Sequence, residues 1–203
     1  MLRRNTISTA LATAFALVVL SCVLHSPWRS NHSPTAGVAI TLPELARTNL
    51  LLIDGRWHRI GQSNAFTGFL IDRYGNGTLC SRSAVSNGVL HGISEGWYTN
   101  GQRQVSERFV EGVSNGRRTK WYPNGMKLSE SEIVAGKFHG TFRRWTESGT
   151  LTEQVGFANG HPHGLAMAYF PSGCLKSRAT MQEGKVVAQR SWSDGEQKGP
   201  LSD

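Results

Sequence analysis

The stretch Trp97-Tyr98-Thr99-Asn100-Gly101 decides the fold, because it returns 24 residues later as Trp121-Tyr122-Pro123-Asn124-Gly125. An Asn-Gly pair between two short runs of β-prone residues is a strong hairpin signal, since a type I′ turn needs positive φ at both turn residues. We therefore predict a tight hairpin turn at each copy of this stretch, with a strand on either side.

The same spacing extends over the body of the chain. Three columns of five glycines recur every 24 residues without an insertion, and together they take up 15 of the 23 glycines. Glycines this frequent exclude long helices. We predict five repeats, at 68–91, 92–115, 116–139, 140–163 and 164–187. The central column, which we assign to the tight turns, comprises Gly77, Gly101, Gly125, Gly149 and Gly173.

Each repeat is predicted to form a strand, a tight turn, a second strand and a looser turn such as the one at 136–140. A single hairpin is marginally stable, whereas stacked hairpins bury their apolar and aromatic columns against one another. We expect an all-β fold, a single-layer antiparallel meander of stacked hairpins over 68–188. A capping hairpin at 49–67 should precede it, and a cap strand and tail at 189–203 should follow it.

The N-terminal segment 1–24 has the pattern of a targeting sequence. Two arginines precede a stretch, 7–24, that contains no charge. This pattern is typical of a signal peptide, or of an uncleaved membrane anchor. Leu20-Ser21-Cys22 resembles the lipobox of bacterial lipoproteins, which implies a lipid on Cys22. Residues 25–48 are polar, contain proline and lack periodicity, so we predict a flexible linker there and place the repeats outside the cytoplasm.

The repeated pattern Tyr-x-Asn-Gly, followed within each 24 residues by Gly and His-Gly, resembles the variant MORN repeat. The resemblance covers roughly residues 50–190. Many bacterial proteins with such arrays are labelled antitoxins of toxin–antitoxin systems, which implies a protein that binds and neutralises a toxin. Arrays of the same kind in larger proteins are linked to membrane association and scaffolding.

The densest basic group falls in repeats three and four, beside two tryptophans. Basic and aromatic side chains together suit an acidic partner or anionic lipid headgroups. The net charge of +8 agrees with an anionic partner surface, but it does not indicate nucleic acid, and we predict no nucleic-acid partner. A solvated strand face balanced by nearby glutamates is the alternative interpretation. The candidate binding patch comprises Arg117, Arg118, Lys120, Trp121, Arg143, Arg144 and Trp145.

Enzyme motifs are missing from the sequence: it has no phosphate loop, no His-Glu-x-x-His and no Gly-x-Ser-x-Gly. His91, His139 and His163 share one column, but they lie one or more repeats apart, too far to share a metal ion. We therefore predict no enzyme activity, no cofactor and no metal. The favoured function is non-catalytic binding or scaffolding at the bacterial cell envelope, through protein or membrane-surface contact. The alternative is an antitoxin-like protein that neutralises a protein toxin.

Overall fold

The computed structural model describes residues 41–196, and these residues form an almost purely β structure. A short 3₁₀ turn, Arg47–Asn49, is the exception. The strands are β1 Glu44–Ala46, β2 Leu50–Ile53, β3 Arg56–Arg59, β4 Gly68–Arg73, β5 Leu79–Ser86, β6 Val89–Trp97, β7 Arg103–Val110, β8 Val113–Ser114, β9 Gly116–Trp121, β10 Lys127–Val134, β11 Lys137–Trp145, β12 Leu151–Ala158, β13 His161–Tyr169, β14 Leu175–Gln182 and β15 Lys185–Ser191.

The main sheet has 13 strands and is open, with β1 at one end and β15 at the other. Each repeat contributes one hairpin, and neighbouring strands from β4 to β15 pair antiparallel in chain order. The small β8 pairs with β7 beside this path. The predicted all-β meander of stacked hairpins is confirmed.

The shorter and the longer turns occupy the opposite positions from those predicted. In the turns at Asn100-Gly101 and Asn124-Gly125 only the glycine has positive φ, 82° at Gly101 and 84° at Gly125. The N–H of Gly125 donates to the Tyr122 carbonyl at 2.9 Å, and the N–H of Tyr122 donates to the Met126 carbonyl at 2.8 Å. This is the longer hairpin loop in which a type I turn is followed by a glycine in the left-handed region.

The tight two-residue turns lie where the looser turns were predicted. Ala135 and Gly136 have φ of 49° and 78°, so both turn residues are left-handed, as a type I′ turn requires. Four further pairs of the main sheet have the same two positive φ values: Asn87-Gly88, Glu111-Gly112, Asn159-Gly160 and Glu183-Gly184. The Asn-Gly pairs of the central column, such as Asn124-Gly125, therefore do not form type I′ turns.

The asparagine of the longer turn holds its own loop and the next repeat at once. Asn124 Oδ1 accepts the N–H of Met126 at 2.9 Å, and Asn124 Nδ2 donates to the Glu147 carbonyl at 3.0 Å. The Tyr122 hydroxyl donates to the Trp145 carbonyl at 2.9 Å. The bonds to the carbonyls of Glu147 and Trp145 each span 23 residues, so they connect consecutive repeats.

Buried or closely packed side chains are concentrated in three places along the array. At the N-terminal end Leu50, Phe66, Leu70 and Val85 form one cluster, and at the C-terminal end Tyr169, Leu175 and Trp192 form another. In the middle Ile133 is 2% exposed, and Phe138, Phe142 and Phe157 pack with ring centroids 5.3–6.3 Å apart.

The strand β1 lies inside the predicted linker 25–48, where it pairs parallel to β4. The N–H of Phe69 donates to the Pro43 carbonyl at 2.8 Å. Gly68 permits this approach, since a Cβ there would lie 2.3 Å from the same oxygen. The predicted capping hairpin corresponds to β2 and β3, which form a separate two-stranded sheet.

At the other end, β15 begins within the fifth predicted repeat rather than at residue 189, because the Glu183-Gly184 turn starts a new strand at once. The predicted leader and Cys22 lie outside the described residues. Within residues 41–196, no helix is long and apolar enough to cross a membrane.

Candidate functional site

The seven residues of the predicted patch lie on neighbouring strands, but they divide between the two faces of the sheet. Successive side chains of a strand point to opposite faces. Arg118, Lys120 and Arg144 line one shared cavity, so they lie on the same face. The charges of Arg117 and Arg143 act instead on Glu130, which belongs to the opposite face.

The two tryptophans of the patch lie at the ends of their strands. The ammonium of Lys127 is 5.3 Å from the ring centroid of Trp145, which places this ring with Glu130 on the opposite face. The Arg103 guanidinium lies 5.6 Å from the ring centroid of Trp121 and pairs with Glu95. Glu95 belongs to the same cross-strand row as Glu130, so the Trp121 ring also lies on the opposite face. The predicted patch is therefore not one continuous surface.

Two adjoining cavities, of about 530 and 500 Å³, share Arg118, Lys120 and Leu128. Together they form a depression across β7, β9, β10 and β11, which we call the basic groove. Its charged and aliphatic or phenylalanine lining comprises Glu107, Arg118, Lys120, Arg144, Val105, Leu128, Phe138 and Phe142.

The groove is concave because small side chains lie between large ones. Ser131 is buried opposite Arg118, and Ser129 pairs with Lys120, so the floor carries only hydroxymethyl groups at these positions. Tyr98 and Tyr122 form part of the lining. Their hydroxyls are fixed by carbonyls of the next repeat, which holds the two rings in place.

The cations of the groove are only partly neutralised. Arg118 pairs with Glu107, whose carboxylate also accepts the Ser114 hydroxyl. Arg118 Nε is buried, and it has no hydrogen-bond partner among residues 41–196. Arg144 lies 3.5 Å from Glu153 in an exposed pair, which solvent screens strongly. Lys120 takes part in no ion pair with the part of the chain that the structure describes.

On the opposite face two of the cations are bound by the protein itself. Lys127 Nζ donates to Glu130 Oε2 at 2.7 Å, and Arg143 Nε donates to Gln154 Oε1 at 3.1 Å. The hydrogen bond from Lys127 lowers the pKa of Glu130, and the charges of Arg117 and Arg143 act in the same direction. Arg117 is exposed and forms no ion pair within residues 41–196, so this face also keeps one cation open to solvent.

Two other pKa shifts belong to the aromatic columns. A hydrogen bond with Cys80 and burial raise the pKa of Tyr74, and burial raises the pKa of Tyr169 against an opposing effect of Arg143. A phenol of ordinary pKa is already protonated near neutral pH, so these shifts leave the protonation state there unchanged. Among residues 41–196, no group of three His, Cys, Asp or Glu side chains is placed to hold a metal ion.

Sequence reasoning found the cations of the groove but missed its aromatic and apolar lining. Phe138 and Phe142 lie four positions apart on β11, and both line the groove although a bulge at Gly140 interrupts the regular alternation between them. Simple alternation along the strand could therefore not have identified this lining. Tyr98 and Tyr122 were recognised as repeat residues, but their reach over the next repeat depends on a hydrogen bond that the sequence does not display.

No family model and no curated protein matches the chain. Among solved structures, a mutant of S. aureus TarM in complex with Fondaparinux, alpha-GlcNAc-glycerol and UDP aligns at 13% identity with a TM-score of 0.31. A second structure of TarM aligns at 14% identity with the same TM-score. Each match covers 47% of this chain and 19% of the TarM chain. Similarity this low does not establish a shared fold.

Proposed function

We propose that this chain is a non-catalytic binding protein of the bacterial cell envelope, whose basic groove holds an acidic segment of a partner protein. The observation that carries the proposal is positive charge that the fold leaves incompletely neutralised beside apolar side chains. Lys120 is exposed and forms no ion pair among residues 41–196, and Arg144 forms only an exposed pair with Glu153. Both cations line the groove together with Leu128 and Phe142.

The chemistry of the groove favours carboxylates next to apolar groups. A guanidinium recognises a carboxylate through two parallel hydrogen bonds, and Arg118 and Arg144 both line the groove. The four strands under the groove span about 15 Å at the usual strand spacing. An extended peptide of about five residues covers that distance, with alternate side chains directed at the groove.

The repeat type supports a binding role. We assign the array to the variant MORN type on its Tyr-x-Asn-Gly pattern, and the bonds from Tyr122 and Asn124 to the next repeat supply a physical reason for both side chains. A sheet held in this way presents a groove whose shape is largely formed before binding, which lowers the ordering cost of association.

A labelled poly-glutamate peptide serves as the probe for the groove. We expect Lys120→Glu with Arg144→Glu to weaken its binding at least about tenfold, measured by fluorescence anisotropy at low and physiological salt. The matched control is Arg117→Glu with Arg143→Glu, which reverses the same number of charges on the opposite face. Equal weakening by the two variants would mean that only total charge matters, and an unchanged affinity in the groove variant would exclude the groove.

The proposed envelope location is tested with a substitution at Cys22. Cells that produce the native chain and a Cys22→Ala variant are fractionated, and the mature N-terminus is identified by mass spectrometry. A lipid-modified Cys22 in the membrane fraction, lost in the variant, is the expected result. A cytosolic chain with an intact leader would favour the alternative, an antitoxin-like inhibitor that holds a protein toxin.

A further inference from the structure

The geometry at the C-terminal end of the main sheet points to a second binding site, and we propose that Arg178 and Arg190 together hold a phosphate dianion. Arg178 lies on β14, and Arg190 lies on β15, the last strand of the sheet. The site is separate from the basic groove, and it does not depend on the proposed function.

The two arginines lie directly opposite each other on neighbouring strands. The register of the two strands is regular over 177–180 and 188–191, and Arg178 is paired with Arg190 inside this segment. Residues directly opposite in an antiparallel pair have Cβ atoms about 5 Å apart on the same face of the sheet. Both side chains are exposed, so the two guanidinium groups face solvent side by side.

This pair lies on the face of the sheet opposite the basic groove. The groove residue Arg144 belongs to a cross-strand row that continues, pair by pair, through Glu153, Ala168, Ser177 and Ser191. Each arginine of the pair is adjacent in sequence to one of the last two members of this row. Since successive side chains of a strand alternate between faces, the arginines point away from the groove.

Like charges in this arrangement are unusual in the molecule. Among the directly opposed strand residues within 41–196, Arg178 and Arg190 are the one pair that carries like charges. Where Arg and Glu are opposed elsewhere, the signs complement each other, as in Glu130 and Arg143. Like charges directly opposite destabilise a sheet, so the arginine pair costs stability unless an anion binds between the two groups.

The part of the chain that the structure describes does not neutralise the two arginines. Neither forms an ion pair within residues 41–196. The two carboxylates that follow β15 form hydrogen bonds elsewhere: Asp194 accepts the hydroxyl of Ser172, and Glu196 Oε2 accepts the N–H of Ser193 at 2.8 Å. Both positive charges are therefore open to an anion from solution.

The arginines are held beside an apolar cluster. The Arg190 guanidinium lies 5.3 Å from the ring centroid of Trp192, which is 9% exposed in the C-terminal cluster. On the other side of the pair, Arg178 lies opposite Met167, which packs against the same cluster. Stacking on a fixed ring limits the conformations of Arg190, so less entropy is lost when the guanidinium binds a ligand.

Two adjacent guanidinium groups favour a tetrahedral dianion over a single carboxylate. One arginine already engages both oxygens of a carboxylate through two parallel hydrogen bonds. A phosphate monoester carries a charge of about −1.5 to −2 near neutral pH and has three strong acceptor oxygens, so it accepts from both arginines at once. The ligand class is therefore inorganic phosphate or a phosphate monoester.

Nuclear magnetic resonance of the isotope-labelled full chain in a neutral detergent tests the inference. Sodium phosphate replaces sodium chloride at constant ionic strength, and the amide shifts of 176–180 and 188–192 are followed. We expect a saturable change. Arg178→Gln or Arg190→Gln should raise the apparent Kd for phosphate at least about tenfold, because each removes one set of charge-assisted hydrogen bonds.

A second measurement separates a binding role from a structural one. In phosphate-free buffer of low ionic strength, Arg178→Gln should raise the urea midpoint of unfolding, because it removes the repulsion between the two arginines. A structural role for Arg178 would instead lower the midpoint, and that result would overturn the inference.

The matched control is Arg117→Gln. Arg117 is also exposed and forms no ion pair within residues 41–196, but its opposed residue is Glu132 rather than an arginine. This variant should leave the phosphate affinity unchanged and should not raise the midpoint. An equal loss of phosphate affinity in Arg117→Gln would overturn the inference, as would phosphate affinity that Arg178→Gln and Arg190→Gln both retain.

The source of the phosphate group is distinguished by a lipid. Phosphatidic acid presents a phosphate monoester, and it is added to the detergent micelles in place of sodium phosphate, with phosphatidylcholine as its control. Shifts at the same amides with phosphatidic acid but not with inorganic phosphate would assign the site to a lipid headgroup. Shifts with inorganic phosphate at equal or higher affinity would assign it to a soluble phosphate. Absence of saturable shifts with both probes would overturn the inference.

Discussion

The first three longer turns and the last two differ in how they are connected to the following repeat. The hydroxyls of Tyr74, Tyr98 and Tyr122 donate to carbonyls 23 residues later at 2.6–2.9 Å. In the fourth repeat Thr146 replaces the tyrosine, and its hydroxyl bonds within its own turn, to Ser148 Oγ at 2.8 Å and to the Thr150 N–H at 3.0 Å. The fifth repeat has Phe170 there, which has no hydroxyl to donate.

The backbone is the same in both groups. Gly149 and Gly173 have φ of 88° and 87°, close to the 82° of Gly101 and the 84° of Gly125. The glycine therefore determines the form of the turn, while the tyrosine and asparagine determine how firmly one repeat is joined to the next. The basic groove lies over the joined repeats, and Tyr98 and Tyr122 are part of its lining.

The largest contrast is expected in the apolar column shared by the repeats. Ile133 is 2% exposed, while Met181 in the same column is only half-buried. Ile133→Ala should lower the free energy of unfolding by about 2–4 kcal/mol, because it removes buried methyl groups and leaves a cavity. Met181→Ala should cost about 1 kcal/mol, since its surroundings are already open to water. Urea unfolding followed by circular dichroism measures both, and equal losses would contradict the difference in packing.

A smaller contrast is expected at the asparagine column. Asn124→Ala removes an acceptor within the turn and a donor to the Glu147 carbonyl, so it should cost about 1–2 kcal/mol. Ser148→Ala, the matched change in the fourth repeat, removes a single hydroxyl contact with Thr146 and should cost less than about 0.5 kcal/mol. Hydrogen exchange of residues 121–127 and 145–151 locates the loss. Equal effects at the two positions would mean that the bond to the next repeat adds nothing.

In the tyrosine column the bond to the next repeat can be removed from one repeat and introduced into another. Tyr122→Phe deletes the hydroxyl bond to the Trp145 carbonyl and should cost about 1 kcal/mol. Thr146→Tyr places a phenol where the first three repeats have one, and it should slow exchange of the amides in 169–173 that follow. The double variant serves as the control for additivity. A Thr146→Tyr variant with unchanged exchange in the fifth repeat would show that the connection requires more than the hydroxyl.

The periodicity of the glycines predicted the number of hairpins and their order, because turn positions with positive φ exclude most other residues. The prediction of which turn is the shorter one was wrong. An Asn-Gly pair is compatible with both turn types, and the choice depends on hydrogen bonds such as that of Asn124 to the next repeat. Residues that are equivalent within one hairpin are distinguished only by their contacts with the neighbouring hairpin.

The candidate site was predictable as a list of cations but not as a surface. Arg117 and Arg118 are adjacent in sequence, and the alternation of a strand sends their side chains to opposite faces. Which face forms the groove depends on the small side chains of Ser129 and Ser131 and on the aromatic residues of the next strand. The short strand β1 was missed because its three residues follow a proline and pair in parallel with β4.

The smallest expected effect concerns the pH dependence of the joined repeats. Glu130 in the third repeat accepts a hydrogen bond from Lys127, whereas the fourth repeat has Gln154 in the same column. The Lys127 ammonium lowers the pKa of Glu130 below its usual 4.5, so the carboxylate stabilises the fold at neutral pH. This contribution is lost as the pH falls through the lowered pKa, where the folded state also takes up the proton. Glu130→Gln should therefore reduce the free energy of unfolding by about 0.5 kcal/mol at pH 7, the size of a partly screened pair, and by progressively less as the pH falls below 4.5. Unfolding in urea over a series of pH values measures this change.

Gln154→Ala is the control, because its effect should be the same throughout the pH series. A Glu130→Gln effect that does not decline as the pH falls would mean that the glutamate acts through packing rather than charge, and the third and fourth repeats would then not differ in their response to acid.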